Sequence, residues 1–196
     1  MPQYITTLSF TQFSHHFPLP ILKNITKMNP LALSLILCTI AAAHSTIINN
    51  ANLIEQTCQK TPKYATCIKF LESDPRSSDA NLQGLAVIAM TNIGAAVNIA
   101  LTQISDLVKV NQEPAQSEAL NSCADRYSTI LVADLPKSVA ALKLGDPKFA
   151  EEGANDAAVE AASCENGFSG KSPLTEENDD IYDAAIIAAA IVKQML

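Results

Sequence analysis

Apolar residues recur every three or four positions along most of the chain after residue 50, which is the pattern of amphipathic helices. Glycine and proline fall mostly between these periodic segments, and no segment shows the alternation of a strand. An all-α fold is therefore predicted. The predicted helices are residues 50–59, 64–72, 80–110, 113–144, 147–165 and 181–196, the last behind a helix-start sequence at Thr175.

The last four of these helices are long and their connections are short, which favours antiparallel neighbours. The sequence therefore predicts an up-down-up-down four-helix bundle, preceded by an N-terminal extension in which the two short helices form a hairpin. Pro136 lies inside the fourth helix and is expected to kink it. Ser78 or Asp79 is expected to cap the third helix, and Leu196 to reach the core.

Four cysteines are expected to form two disulfides in this bundle. An even count in an oxidising compartment allows three pairings of four. Cys58 and Cys67 lie on either side of the turn between the two short helices, and Cys123 and Cys164 lie on either side of the turn that ends the fourth helix. Partners that lie level across a hairpin can bond, so this geometry selects Cys58–Cys67 and Cys123–Cys164.

The fifth cysteine, Cys38, belongs to a short apolar run over residues 31–43. The run ends in the small-residue pattern Ala41-x-Ala43 and follows two lysines. This is the pattern of a secretory signal peptide, and the run is too short to span a membrane. The alternative, a buried N-terminal helix, is disfavoured because nothing amphipathic surrounds the run.

Two regions are predicted on this basis. Residues 1–43 form a leader, with the signal peptide at 28–43 because Met28 would make a natural start. Residues 1–27 are then an upstream extension or part of a longer leader. Residues 50–196 form the single mature domain, which is long enough for a real core.

The mature chain is acidic. Removal of residues 1–43 takes away Lys23 and Lys27, which leaves 11 basic against 20 acidic residues and a formal charge of −9. Such a charge excludes a simple nucleic-acid binder and a binder of anionic membranes.

The residues for catalysis or metal binding are missing. All three histidines, His15, His16 and His44, lie in the leader or at the cleavage point. With both cysteine pairs oxidised, no nucleophilic thiol remains, and there is no Gly-rich phosphate loop. Adjacent carboxylates such as Glu151-Glu152 point in different directions on a helix and are expected to complement helix N-termini. No catalytic residue, metal or cofactor is predicted, and a secreted binding module is favoured over an enzyme.

One turn of the acidic chain carries an unusual positive charge. Residues 145–149 read Gly-Asp-Pro-Lys-Phe, and Lys148 lies at a helix start, where a cation opposes the helix dipole at a cost of about 0.3–1 kcal/mol. Chemistry alone favours a solvated Lys148 and a Phe149 packed on the end of the bundle. The other interpretation is a recognition tip whose lysine and aromatic ring enter an acidic cleft.

The chain from about residue 50 to 196 resembles the plant invertase and pectin methylesterase inhibitor family. The resemblance lies in the cysteine frame and its flanking residues, and one segment is similar to a branch that contains pollen allergens described as invertase inhibitors. The motifs are Thr57-Cys58-x8-Cys67 with Tyr64, Leu120-x2-Cys123-x3-Tyr127, Cys164, Thr175-Glu176-Glu177-Asn178, and, for the allergen-like branch, Asp74-Pro75-Arg76-Ser77 with Asp79-Ala80-Asn81-Leu82.

The resemblance implies a four-helix bundle with an N-terminal hairpin extension and a non-catalytic, reversible inhibitor of secreted carbohydrate-active enzymes. In the invertase-directed branch a Pro-Lys-Phe turn enters the active site, and Pro147, Lys148 and Phe149 match it residue by residue. By that analogy Lys148 would pair with catalytic carboxylates of the invertase and Phe149 would pack in the cleft.

Three functions stay open at this point. The first is a secreted inhibitor of acid invertase that acts as a monomer in a 1:1 complex, in the apoplast or the vacuole. The second is a pectin methylesterase inhibitor on the same scaffold, which would bind through a different surface. The third is an allergen, storage or lipid-binding bundle without an enzyme target, although alanine-rich interfaces argue against a large internal cavity.

Overall fold

The computed structural model describes residues 53–110 and 113–196, and these are almost entirely helical, with no strand among them. The predicted leader and the signal peptide at 28–43 lie outside the described residues. Residues 53–58 are helical, and six longer α-helices follow. These are α1 (Tyr64–Ser73), α2 (Leu82–Val110), α3 (Pro114–Thr129), α4 (Leu135–Leu144), α5 (Pro147–Asn166) and α6 (Thr175–Lys193).

The predicted all-α bundle is confirmed. Helices α3 and α4 are two parts of one helical segment, so that α2, α3–α4, α5 and α6 are the four members of the bundle. Helix α6 packs against both α5 and α2, and α4 packs against α5. The face of α5 that lies in the core consists of small residues, which lets its neighbours approach closely. They are Ala150, Gly153, Ala154, Ala157, Ala158, Ala161 and Cys164.

The N-terminal hairpin consists of residues 53–58 and α1, joined by the disulfide Cys58–Cys67. Thr61 donates a hydrogen bond to the carbonyl oxygen of Cys58 at 2.8 Å, within the turn. Two contacts hold the hairpin on α6: Gln194 Nε2 donates to the carbonyl oxygen of Thr57 at 3.0 Å, and the ammonium of Lys63 lies 3.0 Å from a carboxylate oxygen of Asp183. The extension is thus fixed to the bundle at both ends of its turn.

The start of α2 differs from the prediction. A 3₁₀ turn, Pro75–Asp79, comes first, and the side chain of Asp74 begins it by accepting from the backbone N–H of Arg76 at 2.9 Å. Ser78 and Asp79 therefore lie inside this turn instead of capping α2. Asn81 caps the helix, because its side-chain oxygen accepts from the backbone N–H of Gly84 at 2.9 Å.

The two ends of α6 also differ. The helix begins at Thr175, six residues before the predicted 181, with Glu176 and Glu177 in its first turn, where carboxylates favour the helix dipole. At the other end α6 stops at Lys193, and Leu196 is 65% exposed instead of buried in the core. Periodicity alone marks the middle of a helix better than its ends, because caps and fraying decide the ends.

Pro136 is accommodated by a π-helical turn, Ile130–Asp134, between α3 and α4. The backbone N–H of Leu135 reaches the carbonyl oxygen of Ile130, a span of five residues. Proline lacks an N–H, and its ring clashes with the carbonyl four residues before it. A wider turn just ahead of the proline relieves this conflict while the chain stays helical.

Helix α2 has the length and apolar composition of a membrane span, and it is the one helix of the described residues that has both. Core helices of bundles share these properties. The side of α2 that carries its buried residues faces the other helices of the bundle. These residues are Leu85, Ala86, Ile88, Ala89, Met90, Ile93, Val97, Ala100 and Ile104.

Helices α4 and α5 make their closest approach at Ser138 and Gly153. A Cβ atom added to Gly153 would lie 2.0 Å from Ser138 Oγ and 3.3 Å from Ser138 Cβ. Both residues are fully packed, and the Ser138 hydroxyl makes no hydrogen bond with the described part of the chain. With serine at position 138, glycine at position 153 lets the two helices pack at this distance without a clash.

Gly153→Ala is expected to lower the free energy of unfolding by about 1–3 kcal/mol, because the new methyl group overpacks the contact. Urea unfolding measures this effect. Ser138→Ala alone is expected to be nearly neutral, since the hydroxyl has no partner to lose. In the Gly153→Ala background, Ser138→Ala is expected to recover most of the lost free energy of unfolding. A double variant that is no more stable than Gly153→Ala would contradict the proposed clash.

Candidate target-binding tip

The α4–α5 hairpin ends in a turn of fixed shape, the tip (residues 144–149). Gly145 has a φ of 80°, in the left-handed region that favours glycine. Its N–H donates to the carbonyl oxygen of Leu142 at 3.2 Å, and the N–H of Asp146 donates to that of Ala141 at 2.9 Å. These two bonds are the Schellman motif, which ends α4 and satisfies its last carbonyls.

The next helix starts at once. The carboxylate of Asp146 accepts from the backbone N–H of Phe149 at 3.1 Å, which caps α5. Pro147 occupies the first helical position, where an N–H would have no partner and the fixed φ of proline suits the helix. Asp146 therefore caps the helix and Pro147 opens it, so Lys148 and Phe149 lie in a rigid first turn.

The tip presents its side chains to solvent. The side chain of Lys148 is 71% exposed, and Phe149 is 45% exposed, so its ring is only half packed on the bundle end. Pro147 is half-buried. Lys148 Nζ lies 3.5 Å from Glu152 Oε1, one helical turn along α5. The pair was not predicted from the sequence, although a spacing of four residues is typical of such ion pairs on a helix. An exposed pair of this kind contributes little to stability.

A hydrogen bond joins α4, two residues before the tip, to the start of α2. Gln83, in the first turn of α2, donates from its side chain to the carbonyl oxygen of Leu142. Between the 3₁₀ turn, the start of α2 and Lys143 lies a shallow, open depression, with Arg76 and Asp79 at its edge. The tip is thus supported on one side by α2 and projects beyond it.

The other end of the hairpin is held covalently. The second disulfide joins Cys123 on α3 to Cys164 on α5, with the two Cα atoms 5.1 Å apart and both residues buried. Arg126 and Glu160 form an ion pair between the same two helices. The disulfide and the ion pair fix the base of the long hairpin whose tip carries Lys148.

A buried polar network lies beside this base. The hydroxyl of Tyr127 donates to Asn178 Oδ1, and Asn178 Nδ2 donates to Glu165 Oε2 at 2.6 Å. Thr175 Oγ1 donates to the other carboxylate oxygen of Glu165 at 2.8 Å. Burial raises the pKa of the Tyr127 hydroxyl well above its usual value, so it stays a donor. The network joins α3, α5 and α6 at one point, and the sequence analysis did not find it.

Glu165 makes stability dependent on pH. Burial raises the pKa of its carboxyl, but hydrogen bonds from Asn178, Thr175 and Ser172 outweigh this, and the pKa lies below its ordinary value of 4.5. A carboxyl with a lowered pKa in the folded state stabilises fully above its unfolded-state pKa. That stabilisation is lost as pH falls through the folded-state pKa.

Glu165→Gln is therefore expected to lower the free energy of unfolding at neutral pH, and the deficit is expected to shrink as pH falls below 4.5. Urea unfolding of both proteins from neutral pH to about pH 3 measures it. Glu118→Gln, which changes an exposed carboxylate, is the matched control and should show no such trend. A deficit that stays constant with pH would contradict the assignment.

The described residues, 53–110 and 113–196, contain no group of three His, Cys, Asp or Glu side chains able to hold a metal ion. The tip presents an exposed cation, a half-exposed ring and a proline on a rigid turn.

Comparison with known proteins decides the family. The model of the plant invertase/pectin methylesterase inhibitor family matches residues 52–191. The chain belongs to this family. Its members are named as inhibitors of invertase or of pectinesterase, which are non-catalytic proteins.

Three relatives of this inhibitor differ in the target that their names state. The "Cell wall / vacuolar inhibitor of fructosidase 1" of Arabidopsis thaliana is 39% identical over 145 residues, which cover 74% of this chain and 70% of that protein. The "Pectinesterase inhibitor" of Actinidia deliciosa is 28% identical over 119 residues, covering 61% and 64%. A crystal structure of a mutant pectin methylesterase inhibitor from Arabidopsis superposes with a TM-score of 0.60 at 24% identity, covering 69% of this chain and 92% of that one.

The chain thus belongs to a family whose name states two targets, invertase and pectin methylesterase. The solved structure shows the shared helical bundle and does not choose between the two. A choice between them depends on which surface of the bundle binds.

Proposed function

We propose that this protein is a secreted, non-catalytic inhibitor of plant acid invertase that blocks sucrose hydrolysis by inserting Pro147-Lys148-Phe149 into the active site. The observation that carries the proposal is the tip itself. A chain with a net charge of −7 presents an exposed lysine and a half-exposed phenylalanine on a turn that is already fixed by a Schellman motif and a capped helix start.

The physical case rests on complementarity and preorganisation. A glycoside hydrolase active site is a cleft with acidic residues, which attracts a projecting cation. A rigid tip loses little conformational entropy on binding, so more of the contact energy appears as affinity. The Lys148–Glu152 pair is exposed and therefore easily exchanged for a pairing with carboxylates of the target.

The comparisons support invertase over the alternative. The relative named as a fructosidase inhibitor shares 39% identity with this chain, against 28% for the pectinesterase inhibitor. The name of the first also supports a site of action in the cell wall or the vacuole, and we place the protein in the apoplast first. A monomer that fills one active site would form a 1:1 complex.

Pectin methylesterase is the second candidate target, favoured by the relative from Actinidia deliciosa and by an apolar groove on the side of the bundle. The groove lies between α2 and the segment formed by the π turn and α4, and its lining includes Gly94, Ala95, Leu131, Leu135 and Val139. An inhibitor that used this side would be insensitive to changes at residues 147–149.

Side-by-side inhibition assays test the proposal. The oxidised, purified protein is titrated at slightly acidic pH against cell-wall invertase, vacuolar invertase and pectin methylesterase. We expect inhibition of at least one invertase. Failure against every invertase would refute the proposal, and inhibition of pectin methylesterase alone would establish the alternative. Failure against all enzymes would favour a bundle without an enzyme target.

A further inference from the structure

Leu144 is the most exposed large apolar side chain among the described residues, at 86%. Nine such side chains are exposed in this part of the chain, and two of them, Leu144 and Phe149, lie within the six residues of the tip. Single exposed leucines are common on protein surfaces, but two large exposed apolar groups in one short turn are less usual and suggest a contact with a partner.

The backbone explains why Leu144 points outward. Leu142 is fully buried, and a residue two positions further along an α-helix lies about 200° around the axis. Leu144 is therefore on the opposite side of α4, away from the core.

The turn does not need a leucine at this position. In a Schellman motif the supporting apolar contact joins the two residues of the longer hydrogen bond, here Ala141 and Asp146. Asp146 is polar and is used as the cap of α5. The turn therefore does not use Leu144 as a packing residue.

We propose that Leu144 is a target-contact residue, which binds an apolar or aromatic side chain at the rim of the acidic cleft that receives Lys148. This inference rests on the proposed function and adds a feature of the partner. Leu144 ends one helix of the hairpin and Phe149 begins the next, so the tip carries an apolar group on each helix with the cation beside the second. A fitting cleft has carboxylates inside and an apolar wall at its mouth.

Leu144→Ala is expected to weaken inhibition of the invertase about tenfold, the size typical of a contact residue that loses a buried branched side chain. Binding kinetics on immobilised invertase should show the loss in the dissociation rate, because an uncharged contact does not steer association. Leu144→Met, which keeps an apolar side chain of similar volume, should retain inhibition within about threefold.

Val132→Ala is the matched control. Val132 is a branched apolar residue, 77% exposed, on the π turn about 18 Å along the helix from Leu144. It should bind within about twofold of the wild type. Thermal unfolding should be unchanged in both variants, since neither side chain is packed.

The outcomes separate this inference from the function on which it rests. Inhibition by the wild type with no loss in Leu144→Ala overturns the contact and leaves the inhibitor proposal standing. A loss in Val132→Ala instead would move the interface to the side of the bundle and also overturns the contact. A wild type that inhibits no invertase overturns both.

Discussion

The double substitution of Lys148 and Phe149 by alanine is expected to raise the inhibition constant for acid invertase by about 100-fold or more. Lys148 would lose its pairing with carboxylates in a cleft from which water is excluded, and Phe149 would lose the burial of a ring that is 45% exposed in the free protein. Contacts of these two kinds, a desolvated cation and an aromatic anchor, are each able to contribute 2 kcal/mol or more, roughly 30-fold in affinity.

The fold should tolerate this change. The Lys148–Glu152 pair is exposed on both sides and the helix start is capped by Asp146, whose partner is the backbone N–H of residue 149. We expect the free energy of unfolding to change by about 1 kcal/mol or less, most of it from the packed half of the ring. Enzyme kinetics and urea unfolding of the same preparation separate loss of binding from loss of folding.

A matched control removes one cation and one apolar group from the same hairpin, away from the tip. Lys137 is exposed on α4, and Val159 is 60% exposed on α5. The variant with both changed to alanine should inhibit like the wild type. Equal loss in the two double variants, or no loss in the Lys148/Phe149 variant, would contradict insertion of the tip.

Removal of the disulfide Cys123–Cys164 is expected to have the largest effect on stability. The cysteines are 41 residues apart, and in the chain-entropy model closing such a loop contributes about 4 kcal/mol at 25 °C. The Cys58–Cys67 disulfide closes only 9 residues and is expected to contribute about 2.5 kcal/mol. Urea unfolding of the two double Cys→Ala variants compares the two disulfides directly, because each variant loses one pair of buried sulfur atoms.

Inhibition should respond to this disulfide only through the scaffold. No residue of the pair belongs to the tip, so the Cys123→Ala/Cys164→Ala protein should keep inhibition within a few-fold wherever it stays folded, and lose it as it unfolds. A large loss of inhibition in a fully folded variant would show that the base of the hairpin controls the tip in another way. A more stable Cys123→Ala/Cys164→Ala than Cys58→Ala/Cys67→Ala would contradict the loop-entropy account.

Local signals in the sequence predict much of this structure. Periodicity placed the long helices, and the string Gly145-Asp146-Pro147 specifies its own turn because each residue has one backbone preference that the turn uses. The disulfides followed from the same reasoning, since two segments joined by a tight turn must lie side by side.

Features that depend on tertiary contact could not be predicted in this way. Tyr127 and Asn178 are 51 positions apart, and nothing in either segment indicates the other. The close approach of Ser138 and Gly153 requires the spacing of two packed helices. Pro136 signalled a conflict within its helix, but the π turn that relieves this conflict also depends on packing on either side of the proline.

The π turn also determines which way the tip faces. Buried residues up to its first residue are Leu120, Cys123, Tyr127 and Ile130, at steps of three and four, but the next is Leu135, a step of five. The extra residue resets the rotation of the helix by about 100°. Without it, the apolar stripe of α4 would be out of phase with that of α3. Loss of one residue anywhere in 130–134 would thus turn Leu142 away from the core. The exposed side of the tip would then face another direction, although the sequence of the tip itself was unchanged.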